Sequence, residues 1–465
     1  MNLIKIGCMM LGMLAGMNFV DAAQKKPNVV FFLVDDFGWG ALSCMGSKFH
    51  ETPNIDRLAK SGMTFSNGYA ACTVCSPSRA AILTGCYPGR TNLTDWIAGH
   101  KRPYEKLNVP DWNMKIDHER IVLPEALKEA GYATSFIGKW HLLPINQKEL
   151  MEEHFPDSHG FDQNIGGREW GQPKGRGKYF HPFDMPNVIS KEGDYLTDRL
   201  TDYAVEFIDQ QQNNPFFLYF SYYTVHWPIM GKPELVEKYE AKLKTGDFHQ
   251  KNPAYAAMVH SLDESVGRVL DKLKETGQAD NTIIIFTGDN GATGTRYCGG
   301  LRDAKGFSHE GGTREPLFIA GPGIQPGTTS AVPVIGTDFY PTILDLIGAP
   351  IKPGQHKDGV SLKPLLLQTG AIKERSLFWH YPHYHKTKPY GAIRNGDYKL
   401  IEFFEDGALE LYNLKDDMAE KKNLADLMPE KAAELLKELK QWRTSVDAQL
   451  PTPNPNYDPA RARTY

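Results

Sequence analysis

Four stretches of the chain are apolar at almost every position: "NVVFFLV" (Asn28–Val34), "YATSFIG" (Tyr132–Gly138), "PFFLYFSYY" (Pro215–Tyr223) and "NTIIIFTG" (Asn281–Gly288). A strand with one face in water alternates polar and apolar side chains. A run that is apolar throughout belongs to a strand covered on both faces, the environment of a parallel sheet. Between these runs, "HERIVLPEALKEAG" and "DESVGRVLDKLKETG" place apolar residues at helical spacing and stop at Gly131 and Gly277. The alternation continues from Pro27 to about residue 370. It predicts an α/β fold with a large, mostly parallel central sheet flanked by helices.

The pattern then changes. "YGAIRNGDYKLIEFF" and "ALELYNL" predict an antiparallel hairpin region turning at Asn395-Gly396. "PEKAAELLKELKQWRTSV" predicts an amphipathic helix whose stripe of Leu435, Leu436, Leu439, Trp442 and Val446 faces a core. The Pro-rich end, "QLPTPNPNYDPARARTY", reads as an extended tail. The expected organisation is a signal segment over residues 1–22, an N-terminal catalytic domain over 23–370, and a C-terminal subdomain over 371–465 holding a smaller antiparallel sheet and a helix.

Lys5, the apolar stretch Ile6–Met17 and Val20-Asp21-Ala22 have the layout of a cleaved export signal. The apolar stretch is shorter than the ~20 residues that span a bilayer. No later segment is long and apolar enough, so the expected product is secreted or periplasmic with no transmembrane segment. Cys8 leaves with the signal, and five cysteines remain: Cys44, Cys72, Cys75, Cys86 and Cys298. So few in a long exported chain do not make a disulfide framework. The formal net charge of -4 provides no global basic field, and nucleic acid is not an expected partner.

In an open α/β sheet, ligands collect beyond the carboxyl ends of the strands. The first run ends in Asp35-Asp36, the second in "GKWH" with Lys139 and His141, the third in "TVHWP" with His226, and the fourth in "GDNG" with Asp289 and Asn290. Asp35, Asp36, Asp289 and Asn290 are hard oxygen donors suited to Ca²⁺ or Mg²⁺. With no cysteine or histidine beside them, zinc is a weaker fit. Lys139, His141 and His226 suit an anionic group held against that cation.

"YAACTVCSPSRAAILTG" (Tyr69–Gly85) spaces Cys72 and Cys75 as C-x-x-C, which could be a redox pair, half a zinc site, or a site needing only the second cysteine. No second C-x-x-C or histidine pair at ligand spacing accompanies it, and no thioredoxin-like unit surrounds it. Pro77 marks a helix start, so Cys75 falls at a helix N-terminus, where backbone N–H groups favour an anion, with Arg79 about one turn on. A nucleophile at such a helix end, facing a metal site, is the layout of a hydrolase. Cys72 reads as packing.

"CSPSRAAILTG" resembles the signature of the type I sulfatases, C-x-P-x-R followed by T-G. Asp35-Asp36, "GKWH", "HWP", "GDNG" and "LRDAKGFSHEGGTREP" occur in that family's order, and the resemblance runs from about Asn28 to the "AIRNGDYKL…ELYNL" region. It implies an alkaline phosphatase-like fold and a cysteine converted after translation to formylglycine, an aldehyde hydrated in the active form. It further implies that Asp35, Asp36, Asp289 and Asn290 bind Ca²⁺ together with a formylglycine oxygen at position 75. Arg79 would hold the hydrated aldehyde, Lys139 and Lys305 the sulfate oxygens, while His141 assists the gem-diol and His226 helps protonate the leaving alcohol. A formylglycine-generating or anaerobic sulfatase-maturating enzyme is the implied partner. "GDNG" stands where Ser-Asp-Asn-Gly is frequent, and "RDAK" where Gly often precedes the lysine, but neither change removes a named ligand.

A phosphonate or phosphodiester hydrolase of the same superfamily and a non-catalytic glycan-binding relative are the rival readings. The substrate class expected is a sulfated polysaccharide, with exo action on galactose- or N-acetylgalactosamine-type sugars. "TDWIAGHKRP" (Thr94–Pro103), "GREWGQPKGRGKYFHP" (Gly167–Pro182) and "HYPHYHKTKPY" (His380–Tyr390) are the candidate selectors, with aromatic faces for sugar rings and basic groups for sulfates or uronates.

Overall fold

The computed structural model describes residues 25–185 and 187–465. The expected signal segment, with Cys8, lies outside the described residues. The central sheet has eight strands: β1 (Asn28–Val34), β2 (Met63–Phe65), β3 (Ala133–Gly138), β4 (Gln163–Ile165), β5 (Phe216–Ser221), β6 (Thr282–Gly288), β7 (Leu317–Ala320) and β8 (Thr328–Ser330), in the order β8-β2-β7-β6-β1-β5-β3-β4. The four apolar runs are its middle: β6, β1, β5 and β3 lie side by side and parallel. The short β7 is antiparallel to both β6 and β2.

β1 shows why its sequence is apolar throughout. Val30, Phe32 and Val34 enter a core formed with α4 (Leu196–Gln210) and α5 (Pro253–Glu275), and also with α1 (Pro53–Lys60). Val29, Phe31 and Leu33 enter a second core on the opposite face, formed with α2 (Cys75–Thr84), α3 (Leu123–Glu129) and α6 (Phe339–Leu346). Each such side chain contributes roughly 1.5–3 kcal/mol by leaving water. The helix expected from "DESVGRVLDKLKETG" begins ten residues earlier, at Pro253, where the Asn252 side chain caps it by accepting from Tyr255 N–H at 3.1 Å.

The second sheet is antiparallel and four-stranded: β9 (Leu377–Tyr381), β10 (Tyr390–Asn395), β11 (Tyr398–Phe403) and β12 (Leu409–Asn413). The Asn395-Gly396 turn joins β10 to β11 with Asn395 opposite Tyr398. α7 (Pro429–Ser445) lays Leu435, Leu439 and Trp442 on this sheet, in a core that continues into Val74, Ala81 and Tyr87 of the larger unit. The C-terminal tail is extended only near its start, where Thr452-Pro453 pairs antiparallel with Leu107-Asn108, and it then turns, with Arg461 and Ala462 N–H donating to Asp458 O. The five cysteines among the described residues are all free. No helix among the described residues is long and apolar enough to cross a membrane.

A buried ionic cluster fastens the small sheet to the large one. Lys399 Nζ lies 3.0 Å from both Glu310 Oε1 and Glu420 Oε1, and Arg314 Nε lies 3.1 Å from Glu310 Oε2. Tyr69 donates to Glu310 at 2.7 Å. Burial opposes the Lys399 ammonium, but Glu420 and Glu310 outweigh it and hold its pKa above the ordinary lysine value. Removing one partner of such a cluster leaves uncompensated charge out of water. Lys399→Met is therefore expected to cost about 3–5 kcal/mol, measured as a lowered urea midpoint. A loss under about 1 kcal/mol, the range of exposed pairs, would show that water reaches the cluster.

Candidate active site

The register of the four middle strands brings their carboxyl ends level. Val34 is opposite Gly288, Leu33 opposite Ser221, and Ser221 opposite Gly138. The ladder runs one residue further: Asp35 N–H donates to Thr224 O, Asp289 N–H to Val34 O and Lys139 N–H to Ser221 O. Gly138 sits at φ +108°, and a Cβ there would lie 1.8 Å from Ser221 O, so this approach requires glycine. Asp35, Lys139 and Asp289 therefore emerge at one edge.

α2 points its N-terminus at that edge. Val74 is the extended residue before it, Cys75 is its first residue, and Arg79 follows one turn on. The Arg79 guanidinium is 2% exposed. Its Nε and Nη2 lie 2.9 and 2.7 Å from Asp289 Oδ2, and its Nη1 donates to Ser221 Oγ at 2.6 Å and Lys139 O at 2.9 Å. Lys139 Nζ lies 2.7 Å from Asp35 Oδ2. Lys305 Nζ reaches Asp36 Oδ1 at 2.6 Å and Cys75 Sγ at 3.2 Å. Cys75 Sγ is 3.8 Å from Asp35 and 4.0 Å from Asp36. His226 Nε2 is 3.6 Å from Asp36 Oδ2, and His141 Nε2 contacts Ile97 O.

Burial dominates the protonation of these groups. It lifts Asp35 to about 8, with Asp289 and Asp36 adding to the rise against Lys139 and Arg79. Asp36 goes the other way: burial would raise it, but Lys305, His226 and Lys139 hold it well below the carboxylate range. The Cys75 thiol is pushed up to about 11 by burial against the pull of Lys139 and Lys305, so it is no free thiolate nucleophile. Burial, reinforced by Lys139, keeps His141 neutral. It also takes His226 down to about 3 despite Asp36.

These residues fit a hard divalent cation. Asp35, Asp36, Asp289 and Asn290 are buried together, and Asn290 Oδ1 has no protein partner although its amide nitrogen donates to Asp36 Oδ1 at 2.7 Å. An unpartnered buried carbonyl oxygen beside carboxylates has the chemistry of a ligand for such a cation. The expectation that no cysteine or histidine stands beside these oxygens holds only along the sequence. Donor atoms of Asp35, Asp36, Cys75 and His226 lie within 4.8 Å of one another. Loops that are remote in sequence meet here, and the oxygen donors still predominate.

A cavity of about 650 Å³ opens above Asp36, Cys75, His141, His226 and Lys305. Arg79 and Lys139 lie beneath it. All three candidate selector stretches reach its wall, each with part of its length: Trp96 and His100 from the first, Glu169, Trp170 and Lys174 from the second, His385 and Lys386 from the third. The remaining aromatics of the third stretch, among them Tyr381 and Tyr384, are buried in the core instead. Trp227 and Thr293 also line the cavity and were outside the selectors. Trp227 had a signal, its place beside His226 in "HWP". Ser221, the partner of Arg79, had none beyond being the last polar residue of an apolar run.

The chain matches the family model described as Sulfatase over residues 27–349, and one described as N-sulphoglucosamine sulphohydrolase, C-terminal, over residues 300–449. It is 32% identical to a sulfatase of Formosa agariphila over 91% of this chain and 89% of that one. It is 30% identical to human arylsulfatase A over 95% and 91%. The crystal structure of Ps i-CgsB in complex with k-i-k-neocarrahexaose superposes with a TM-score of 0.75 at 28% identity, covering 93% of this chain and 95% of that one. The phosphonate monoester hydrolase of Agrobacterium radiobacter, at 21% identity and a TM-score of 0.65 over 90% and 96%, shares the fold. With the matched model spanning the central sheet and every strand-end residue described above, this chain belongs to the type I sulfatases, sulfuric ester hydrolases of the alkaline phosphatase superfamily.

Proposed function

We propose that this sulfatase removes O-sulfate groups from sulfated glycans, using formylglycine made from Cys75 and a Ca²⁺ ion held by Asp35, Asp36, Asp289 and Asn290. The observation that carries this reading is the position of Cys75. Its Sγ stands at the start of α2, 3.2 Å from the Lys305 ammonium and within 4.0 Å of two of the carboxylates, at the floor of the cavity. A hydrated aldehyde at position 75, held beside Lys305 and the carboxylates, would supply the hydroxyl nucleophile for sulfur as the ester S–O bond to the alcohol breaks. The cation supplies positive charge against the ester oxygens.

The chain's own residues do the rest. Lys305 meets a sulfate oxygen from the cavity side and Lys139 from beneath, offsetting the charge that repels a nucleophile. Arg79 holds the group at position 75 between the carboxylates. His141, neutral and with Nδ1 buried and unpartnered, is placed to take a proton from the gem-diol. A sulfate ester beside His226 adds negative charge that favours imidazolium, the form able to protonate the departing alcohol. Cys75 is 2% exposed, so its oxidation by a maturation enzyme must precede burial. Export of the chain, and exo action on galactose- or N-acetylgalactosamine-type sugars, complete the reading. Both N-acetylgalactosamine-6-sulfatase from human, 32% identical over 77% of this chain and 69% of that one, and the three-tryptophan cavity wall support a sugar substrate.

Cys75→Ala is expected to keep the fold, since it removes one small side chain. It should lower kcat by at least about 10⁴-fold, the scale of losing a nucleophile. Sulfate release from p-nitrophenyl sulfate and from sulfated sugars is the measurement, with mass analysis of the position-75 peptide, and undiminished turnover would end the formylglycine mechanism. Lys305→Ala should lose about 10²–10³-fold in kcat, as for other preorganised charge donors. Ca²⁺ added to chelator-treated protein should raise the thermal midpoint by binding the folded state alone. A midpoint indifferent to Ca²⁺ and Mg²⁺ would remove the cation from the reading.

A further inference from the structure

The connection between β9 and β10 leaves the small sheet and folds over the cavity beside Lys305. The contact is close: a Cβ on Gly306, at φ +86°, would lie 3.0 Å from His385 Nδ1 and 3.2 Å from Lys386 Cγ. The imidazoles of His385 and His100 meet edge to face with centroids 5.0 Å apart, and His100 meets Trp96 at 5.1 Å. Lys174 reaches the same cavity from the 167–182 stretch.

The charges on this wall lack counterparts. Lys388, two residues along the connection, is paired with Asp406 at 2.6 Å. Among the described residues, Lys174 and Lys386 form no such ion pair. The carboxylate whose charge reaches Lys386 is Asp36, and Lys305 already holds it at 2.6 Å. Glu169 is the acid on this wall, against Lys174 and Lys386, while burial keeps the imidazoles of His100 and His385 neutral, as hydrogen-bond donors rather than charges. Lysines facing a binding cavity without an acidic partner repel one another and keep their hydration until an anion arrives. Reaction at sulfur needs none of them, because Lys305, Lys139 and Arg79 already stand around Cys75.

We propose that His385 and Lys386, with His100 and Lys174, form a second anion subsite, and that the preferred substrate is a sugar unit bearing a second anionic group, sulfate or carboxylate, besides the scissile sulfate ester. The subsite rests on the sulfatase reading above and narrows its substrate class. Because Lys386 packs on the residue next to Lys305, the two anionic groups belong to one sugar unit, in the cavity that Trp96, Trp170 and Trp227 line. The small sheet thereby contributes to recognition through one hairpin connection.

The test compares sulfate release from matched sugars: one monosulfated and otherwise neutral, one disulfated on the same ring, and one monosulfated uronate, with p-nitrophenyl sulfate as a reference. The expected result is a kcat/KM at least about tenfold higher for the disulfated sugar or the uronate than for the neutral one, the scale of one charged hydrogen bond. Whichever is preferred identifies the second group. Lys386→Ala should shrink that ratio about tenfold and Lys386→Arg should retain most of it. Lys174→Ala, at an exposed position, is the second variant and should also shrink it. Equal kcat/KM for all three sugars, or a ratio untouched by both alanine variants, overturns the subsite and leaves the sulfatase mechanism standing. Failure to release sulfate from any of the four compounds overturns both.

Discussion

The Arg79 guanidinium ties the ends of the four middle strands to one helix. One turn into α2 it grips Asp289 beyond β6, Ser221 at the end of β5 and the backbone of Lys139 beyond β3, with Asp35 beyond β1 at 3.5 Å. Four strand ends and one helix are thus referred to one rigid, five-donor fork. A lysine could not replace it, because a point charge cannot direct separate hydrogen bonds to a carboxylate, a hydroxyl and a carbonyl. Burial opposes its charge, and Asp289 and Asp35 hold it protonated nonetheless. Its loss would leave buried carboxylates facing one another across the position of Cys75.

Much of the fold was legible because the middle strands are buried on both faces. β1, β3, β5 and β6 announce themselves through runs that no half-exposed strand would tolerate, and they turned out to be neighbours. The outer strands could not be read the same way. β2, β4, β7 and β8 have three or four residues each, and their pairing is set by what lies beside them in space. β9 was hidden differently. Its last two residues, His380 and Tyr381, open the stretch read as an aromatic selector loop, yet Tyr381, like Trp379 before it, faces the core between the two sheets. The tail was read as extended from its prolines, but its pairing with Leu107-Asn108 depends on a loop far away in sequence.

The site followed the same division. Residues directly after apolar runs could be found by position alone, since a level sheet edge must present them together. That reasoning located Asp35, Asp36, Lys139, Asp289 and Asn290, and the helix start located Cys75 and Arg79. Lys305 came from the order of motifs in the family resemblance, because it sits on an irregular loop that no periodicity marks. The wall of the cavity was less legible. Composition pointed to three stretches, and each supplies side chains to the cavity while burying others, because a loop's direction is fixed by its packing and not by its residue types. His385 and Lys386 could be distinguished from Tyr381 and His383 only once β9 and β10 were placed.

The charges at the strand ends explain why one site can accept both a metal and an anion. Asp35, Asp36 and Asp289 face Arg79, Lys139 and Lys305 at contact distances, so the protein's own formal charges nearly balance. Asp35 stands high, at about 8, because with burial and two neighbouring carboxylates even Lys139 at 2.7 Å does not fully support its charge. A divalent cation among the three carboxylates would restore Asp35 to its ionised form and leave the site with surplus positive charge. A sulfate ester, a monoanion, offsets part of that surplus, whereas either ion alone would leave more buried charge unopposed. In the proposed mechanism, cation and substrate would thus support each other's binding through the same carboxylates and lysines. The unpaired lysines higher on the cavity wall extend that surplus beyond the scissile group, which is the physical ground for expecting a substrate more anionic than a single sulfate.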